Sequence, residues 1–191
     1  MPSEREWVDA LVPRLQEALR SIVSAGICVE SGKRLVYAHE ITKYQGEGTA
    51  DSPRSSSYQT DLLVFDSLDN GCWIPRIVIE CKLGGVTTHD ALIYNAKAAT
   101  HKQVHPYLRY GILVGDYGAD CVPVRLFRHG PHFDFMITWA SHEPGKSQWD
   151  DLIGLLGQEV EASRKLQRLL GENRTQDRER YSLIHRPLIL K

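Results

Sequence analysis

Apolar residues recur every three or four positions through the first segment of the chain: Trp7, Val8, Leu11, Val12, Leu15, Ala18, Leu19, Ile22 and Val23. That spacing lays a single apolar stripe along a helix. Pro13 falls within it and predicts a kink or a fresh helix start. Gly26 is placed to end the helix. The period then shortens. Ile27-Cys28-Val29 and Leu35-Val36-Tyr37-Ala38 flank Glu30-Ser31-Gly32-Lys33, which predicts a hairpin. Residues 45–57 carry Gly, Ser, Pro and Thr throughout and read as a mobile loop.

Two strong strand signals follow. Asp61-Leu62-Leu63-Val64-Phe65 is a short apolar run ending at Asp66, and the segment Ile74 to Lys82 contains the β-branched Ile77-Val78-Ile79. Asn70-Gly71 between them is a turn signal, so the two strands are expected to be antiparallel neighbours. Thr87-Thr88-His89-Asp90 fits a capping box opening a helix through about Gln103. Tyr110 to Gly115 reads as a central strand buried on both faces. Residues 122–128 and 133–139 alternate as a last pair of strands. A second capping box, Ser147-Gln148-Trp149-Asp150, precedes a helix carrying Leu152, Ile153, Leu156, Val160, Leu166 and Leu170 and stopped by Gly171. This order describes an α/β sandwich around a mixed sheet.

Composition narrows the class without naming a chemistry. At 191 residues the chain fits one domain, read as a core over 1–140 with a C-terminal helix and basic tail over 147–191. Apolar content of 42% and charged content of 25% are ordinary for a globular protein. No apolar run reaches the roughly 20 residues that span a bilayer, and Met1-Pro2-Ser3-Glu4-Arg5-Glu6 is unlike a signal peptide. The expectation is a cytoplasmic protein with no membrane partner. Cys28, Cys72, Cys81 and Cys121 form no CxxC pair, so zinc ribbons and thioredoxin-like redox lose support and buried free thiols are expected. A formal net charge of −1 argues against a polycationic coat protein and leaves local patches to decide nucleic-acid contact.

The chemistry gathers at Glu80-Cys81-Lys82. Side chains alternate along a strand, so Glu80 and Lys82 share one face while Cys81 packs on the other. Charged groups at the end of an Ile-Val-Ile strand are costly to bury unless paired or bound to a metal. Asp61 opens the neighbouring strand and brings a second carboxylate to the same sheet edge. Two carboxylates and a backbone carbonyl suit Mg²⁺, a hard ion that keeps several waters. A lysine beside it orients or deprotonates water and offsets charge on a phosphorane. The bland alternative is a surface Glu80–Lys82 pair on an edge strand, with Asp61 capping a turn.

Asp61 followed nineteen positions on by Glu80-Cys81-Lys82 resembles the PD-(D/E)XK signature of restriction-endonuclease-like nucleases. The element order resembles that αβα sandwich from residue 1 to about 140. The resemblance implies Asp61 and Glu80 as metal ligands, the Cys81 carbonyl as a further ligand and Lys82 as catalytic lysine. It implies Mg²⁺, with Mn²⁺ as a substitute. Thr60 stands where the signature has proline. A further acid on the leading helix is common in such nucleases; Glu17 and Glu40 are the two candidates, although Glu17 falls opposite the apolar stripe. Asp90, Tyr94, Lys97 and His101 share one helical stripe, read either as a phosphate-facing surface or as a solvated face. Gln103 with Tyr107 resembles the Q-x-x-x-Y pair of RecB-like nucleases, with Pro106 inside it.

Two other clusters are weaker. His101 and His105 lack a third zinc ligand at matching spacing. Arg164, Lys165, Arg168, Arg174, Arg178, Arg180 and Arg186 form the best basic patch, suited to phosphate contact, an exposed helix or a dimer contact. The expected function is a Mg²⁺-dependent endonuclease acting on DNA, of restriction or defence type, with homodimerisation if it cuts both strands. Repair or junction cleavage on the same fold is one alternative. A catalytically silent module that binds nucleic acid or a partner protein is the other.

Overall fold

The computed structural model describes residues 2–51 and 54–172. Helix α1 (Glu4–Ile22) starts at Ser3, whose hydroxyl accepts from the Glu6 N–H while the Glu6 carboxylate accepts from the Ser3 N–H. Pro13 lies inside this helix and neither breaks nor restarts it. A proline in a helix interior costs about 3 kcal/mol. Burial of Trp7, Val8, Leu11, Leu15 and Leu19 along one stripe outweighs that cost, at about 1.5–3 kcal/mol per large apolar side chain. The helix ends at Ile22, before Gly26 is reached.

The predicted hairpin over 27–38 does not form. Strand β1 (Ile27–Ser31) pairs antiparallel with β6 (Leu62–Ser67), whereas β2 (Arg34–Glu40) pairs with β5 (Arg54–Gln59) in a separate two-stranded ribbon. Gly32 makes the change of layer at φ +68°, a left-handed conformation that suits glycine. Its N–H donates to Thr60 O at 2.9 Å. Residues 45–57 are likewise not a single loop. Short strands β3 (Lys43–Tyr44) and β4 (Ala50–Asp51) pair there, and β5 begins at Arg54. The Arg-Ser-Ser-Ser run of β5 is polar because the ribbon is thin and largely solvated, which hid it as a strand.

Among the described residues, the main sheet has five strands in the order β1-β6-β7-β8-β9, with β7 (Trp73–Leu83), β8 (Arg109–Gly115) and β9 (Phe135–Thr138). The β1–β6 and β6–β7 pairs are antiparallel, and β7–β8 and β8–β9 are parallel. Every residue of β8 is buried, as expected for a central strand. Helix α2 (Thr88–Val104) opens on the Thr87–Asp90 capping box and provides the crossover from β7 to β8. Residues 124–129 form a helix, α3 (Val124–His129), where a strand was expected; Pro123, at φ −55°, precedes its first turn. Helix α4 (Lys146–Glu172) begins two positions early. Its Gln148 side chain accepts from Gly145 N–H, the reciprocal half of a capping box centred on Gly145 and not on Ser147. Gly171 lies within this helix. Arg174, Arg178, Arg180, Arg186 and the apolar Leu188-Ile189-Leu190 fall outside the described residues.

Two apolar layers enclose the sheet. Helices α1 and α4 cover Ile27, Val29, Leu62, Val64, Ile77, Ile79 and Cys81 on one face. On the other, α2, α3 and β2 cover Leu63, Phe65, Val78, Tyr110, Ile112 and Val114. The protein is therefore a mixed α/β fold with a central sheet, flanking helices and a long C-terminal helix. Edge strand β1 is closed by a side chain: Gln16 on α1 donates to Ile27 O at 2.8 Å and accepts from Val29 N–H at 2.9 Å. Among the described residues, no helix is long and apolar enough to cross a membrane. All four cysteines are free; Cys81 is buried, whereas Cys72 and Cys121 are exposed, contrary to the expectation of burial.

The tightest contact in the sheet is at Gly111, where an added Cβ would lie 2.1 Å from the Phe135 ring. At that distance β8 or the ring must shift, and overpacked cores force off-rotamer side chains or backbone shifts. Gly111→Ala is expected to destabilise the protein by about 3 kcal/mol, lowering Tm by roughly 6–12 °C for a domain of this size. A melting curve within 2 °C or so of wild type, on the same scale, would show that β9 is free to move away.

Candidate functional site

The antiparallel register of β6 and β7 places Leu62 opposite Ile79, so the next pair out is Asp61 and Glu80. Directly opposed residues of an antiparallel pair project to the same face, which brings the two carboxylates together. Val78, on the Glu80 face, packs in the layer beneath α2, and Ile79 and Cys81 pack on the opposite layer. The alternation expected of Glu80-Cys81-Lys82 therefore holds. Strand β7 is interior to the sheet, so the picture of an edge-strand surface pair does not apply.

Each charge has a defined neighbour. Asp61 accepts from the Cys81 N–H at 2.8 Å. Glu80 is 1% exposed; its Oε1 accepts from the Tyr110 hydroxyl at 2.5 Å and its Oε2 from Lys97 Nζ at 3.1 Å. Lys82 does not pair with Glu80. Its Nζ lies 3.5 Å from Glu4 Oε2, and the same oxygen accepts from Leu83 N–H at 3.0 Å. Burial pushes the Asp61 carboxyl above its ordinary pKa, opposed by the Cys81 N–H and by Lys97. Burial and then the Asp61 charge push Glu80 up as well, opposed by Lys97 and Tyr110. The half-buried Asp61 thus makes ionisation of the buried Glu80 beside it more costly.

Thr60 explains the departure from the signature's proline. Its N–H and its hydroxyl both donate to Lys33 O, at 3.1 and 2.9 Å. Proline has no N–H and would lose the first bond. The threonine ties the β1–β2 turn to the residue before Asp61 and so helps hold that carboxylate at the sheet edge.

The stripe on α2 is not a solvated face. Lys97 reaches Glu80, and its ammonium lies 5.3 Å from the Tyr94 ring centre and 6.0 Å from that of Tyr58 on β5. Tyr94 is half-buried, and burial followed by the Glu80 charge raises its phenol pKa. His101 is fully buried; its Nε2 lies 3.3 Å from Leu35 O, and burial lowers its pKa to about 4, so it is neutral at physiological pH. His105 bonds to Val36 O at 3.1 Å. Both histidines therefore tie α2 to β2. Gln103 is exposed, and Tyr107 packs against Arg76 at 5.8 Å, near the far end of β7 from Lys82. Glu17 is exposed thirteen residues along α1 from Glu4, and Glu40 is exposed at the end of β2. The acid that α1 brings to the cluster is Glu4, in its first turn. A long-range contact between the first helix and the end of β7 left no trace in local periodicity. Tyr110 gave a faint signal, since a tyrosine in a fully buried strand needs a partner for its hydroxyl.

The donor set at this edge is oxygen only: Asp61 and Glu80, with the Cys81 carbonyl as the further ligand that the resemblance implies and Glu4 already committed to Lys82 and Leu83. It has the hardness that Mg²⁺ requires, and both carboxylates, raised above their ordinary pKa, would gain from a cation that favours their ionised form. Among the described residues, no three His, Cys, Asp or Glu side chains group as a metal site. An ion here would therefore draw its remaining ligands from the carbonyl and from water. No family model matches the chain, and no curated protein matches it.

Proposed function

We propose that the protein is a Mg²⁺-dependent endonuclease of the PD-(D/E)XK type that hydrolyses phosphodiester bonds in DNA. The observation that carries this reading is the convergence of Asp61, Glu80, Lys82 and Glu4 on one sheet edge, built from two strands and a helix far apart in sequence. Asp61, Glu80 and the Cys81 carbonyl would hold the ion. When bound, it would supply the positive charge that draws in a phosphate and the Lewis acidity that makes water nucleophilic. Lys82, held by Glu4 at the rim of the site, would donate to the attacking water and offset charge on the phosphorane. Glu4 would be a positioning residue. Tyr110 and Lys97 fix the Glu80 carboxylate from beneath, leaving its rotamer little freedom. Homodimerisation accompanies this reading if both strands of a duplex are cut.

One observation favours a second reading, a module that binds without cutting. Both Glu80 oxygens already have protein partners, and the Lys97 ammonium partly neutralises the acid pair. The two readings separate on metal dependence. As an enzyme, the protein should nick supercoiled plasmid or cut linear duplex with Mg²⁺ or Mn²⁺ and do neither in EDTA. It should also bind DNA more tightly with Ca²⁺ than in EDTA, because a divalent ion reverses the local charge at the carboxylates. Binding that responds to salt but ignores divalent ions, with no cleavage, would leave the second reading standing.

A further inference from the structure

At the opposite end of β7 from Lys82, a cavity of about 620 Å³ is lined by Arg76, Glu161, Arg164, Lys165, Gln167, Arg168 and Gly171. Four of these seven residues are cationic and one is acidic. Arg76 is 4% exposed, and its Nε donates to Asp66 Oδ2 at 2.6 Å. Its Nη1 is enclosed and, among the described residues, has no hydrogen-bond partner. A buried guanidinium N–H without an acceptor is costly, and such groups in folded proteins are ordinarily satisfied by protein, water or a ligand. Arg164 is anchored alongside: it donates to Asp66 Oδ1 at 2.6 Å, to Ser24 Oγ at 3.2 Å and to Glu161 Oε1 at 2.7 Å. Asp66 thus holds two guanidinium groups in fixed orientation and leaves the cavity with surplus positive charge. Tyr107 lies across the Arg76 guanidinium, 5.8 Å from ring centre to Cζ. Arg168 is exposed at the mouth.

We infer that this cavity binds a phosphoryl anion, with the buried Arg76 and the exposed Arg168 as its principal donors. Arginine forks match the planar pairs of oxygens on a phosphate, and a preoriented fork loses little entropy on binding. Arg76 precedes Glu80 by four residues, roughly 13 Å along a strand. The cavity and the carboxylates therefore cannot share one phosphate, and the site does not depend on the nuclease reading. Its occupant is either a free phosphate, alone or on a nucleotide, or a phosphate of the nucleic-acid backbone.

The test uses the full chain in EDTA. Wild type, Asp61→Asn and Arg168→Glu are titrated with inorganic phosphate at constant ionic strength, followed by the chemical shifts of arginine side chains. The same three proteins are titrated with a short DNA duplex, followed by anisotropy. Wild type and Asp61→Asn should bind phosphate equally, and Arg168→Glu should bind it at least about tenfold more weakly, the scale of one charge-assisted hydrogen bond. Since Arg168 is exposed, its replacement should leave the melting temperature unchanged. A parallel loss of duplex affinity in Arg168→Glu assigns the site to backbone phosphate, and an unchanged duplex affinity assigns it to free phosphate. Phosphate binding that is absent in wild type, or equal in wild type and Arg168→Glu, overturns the inference. Loss of plasmid cleavage in Asp61→Asn bears only on the nuclease reading.

Discussion

Replacing Lys82 by alanine is expected to lower DNA cleavage by about 10²–10³-fold, the cost of removing one preoriented donor from a developing anion. The fold should survive. Lys82 is partly exposed, and its ion pair with Glu4 contributes little at such a site. The consequence for Glu4 is separate. Leu83 N–H still binds its carboxylate in the variant, so helix α1 keeps its hold on the end of β7. Metal affinity, read by Mn²⁺ titration, should change little because the carboxylates are intact. Glu4→Gln should then show a smaller loss in kcat, since an amide can still accept from Leu83 while holding Lys82 less firmly. Cleavage by Lys82→Ala at the wild-type rate would assign any observed activity to another site or to a contaminant.

Asp61→Asn is expected to act in three directions at once. Metal affinity should fall at least about 100-fold, the upper range seen when even an outer-shell partner is lost, and cleavage should vanish. In EDTA the variant should bind duplex DNA more tightly than wild type, because one negative charge is gone and the shape is nearly kept. It should also be more stable at neutral pH. The folded-state pKa of Asp61 is raised by burial, so the folded protein holds that proton more strongly than the unfolded chain. The ionised carboxylate accordingly costs stability once the pH exceeds the raised value. The Asn amide oxygen can still accept from Cys81 N–H, and the cost disappears. Below the unfolded value of about 4, wild-type Asp61 is protonated in both states and the advantage should close. A variant less stable than wild type at every pH would mean that the hydrogen bond to Cys81 outweighs the desolvation of the charge.

Much of this arrangement was legible because it is local. The β6–β7 pair, the Thr87 cap and the buried β8 rest on patterns within ten or so residues, where alternation and turn chemistry speak directly. Asp61, Glu80 and Lys82 were legible for the same reason: polar groups at the ends of apolar strands stand out. What could not be read is where the chain crosses between layers. The β1–β2 segment looks like a hairpin, yet Gly32 sends its second half into a ribbon against α2. Residues 122–128 alternate enough to pass for a strand, yet 124–129 form a helix after Pro123 that packs against α2. Glu4 was missed because its role depends on a contact with Leu83, seventy-nine residues away. The α2 stripe was ambiguous until the ribbon closed over it: His101 and His105 resemble a metal pair in one dimension and are structural ties in three.

The Gln16 side chain, which bonds both Ile27 O and Val29 N–H, has a consequence for how copies of the protein can meet. An exposed edge strand is an open template for another chain, and an unprotected β1 would invite sheet-to-sheet joining or aggregation. Here a primary amide imitates the next strand, one donor and one acceptor in register, and occupies the template from within. A second copy adding along β1 would have to expel Gln16 first. Gln16→Ala should therefore expose a sticky edge, visible as concentration-dependent self-association. A two-fold assembly that continued the sheet through β1 would first have to break both Gln16 hydrogen bonds, which sets this edge apart from β9 at the other side of the sheet.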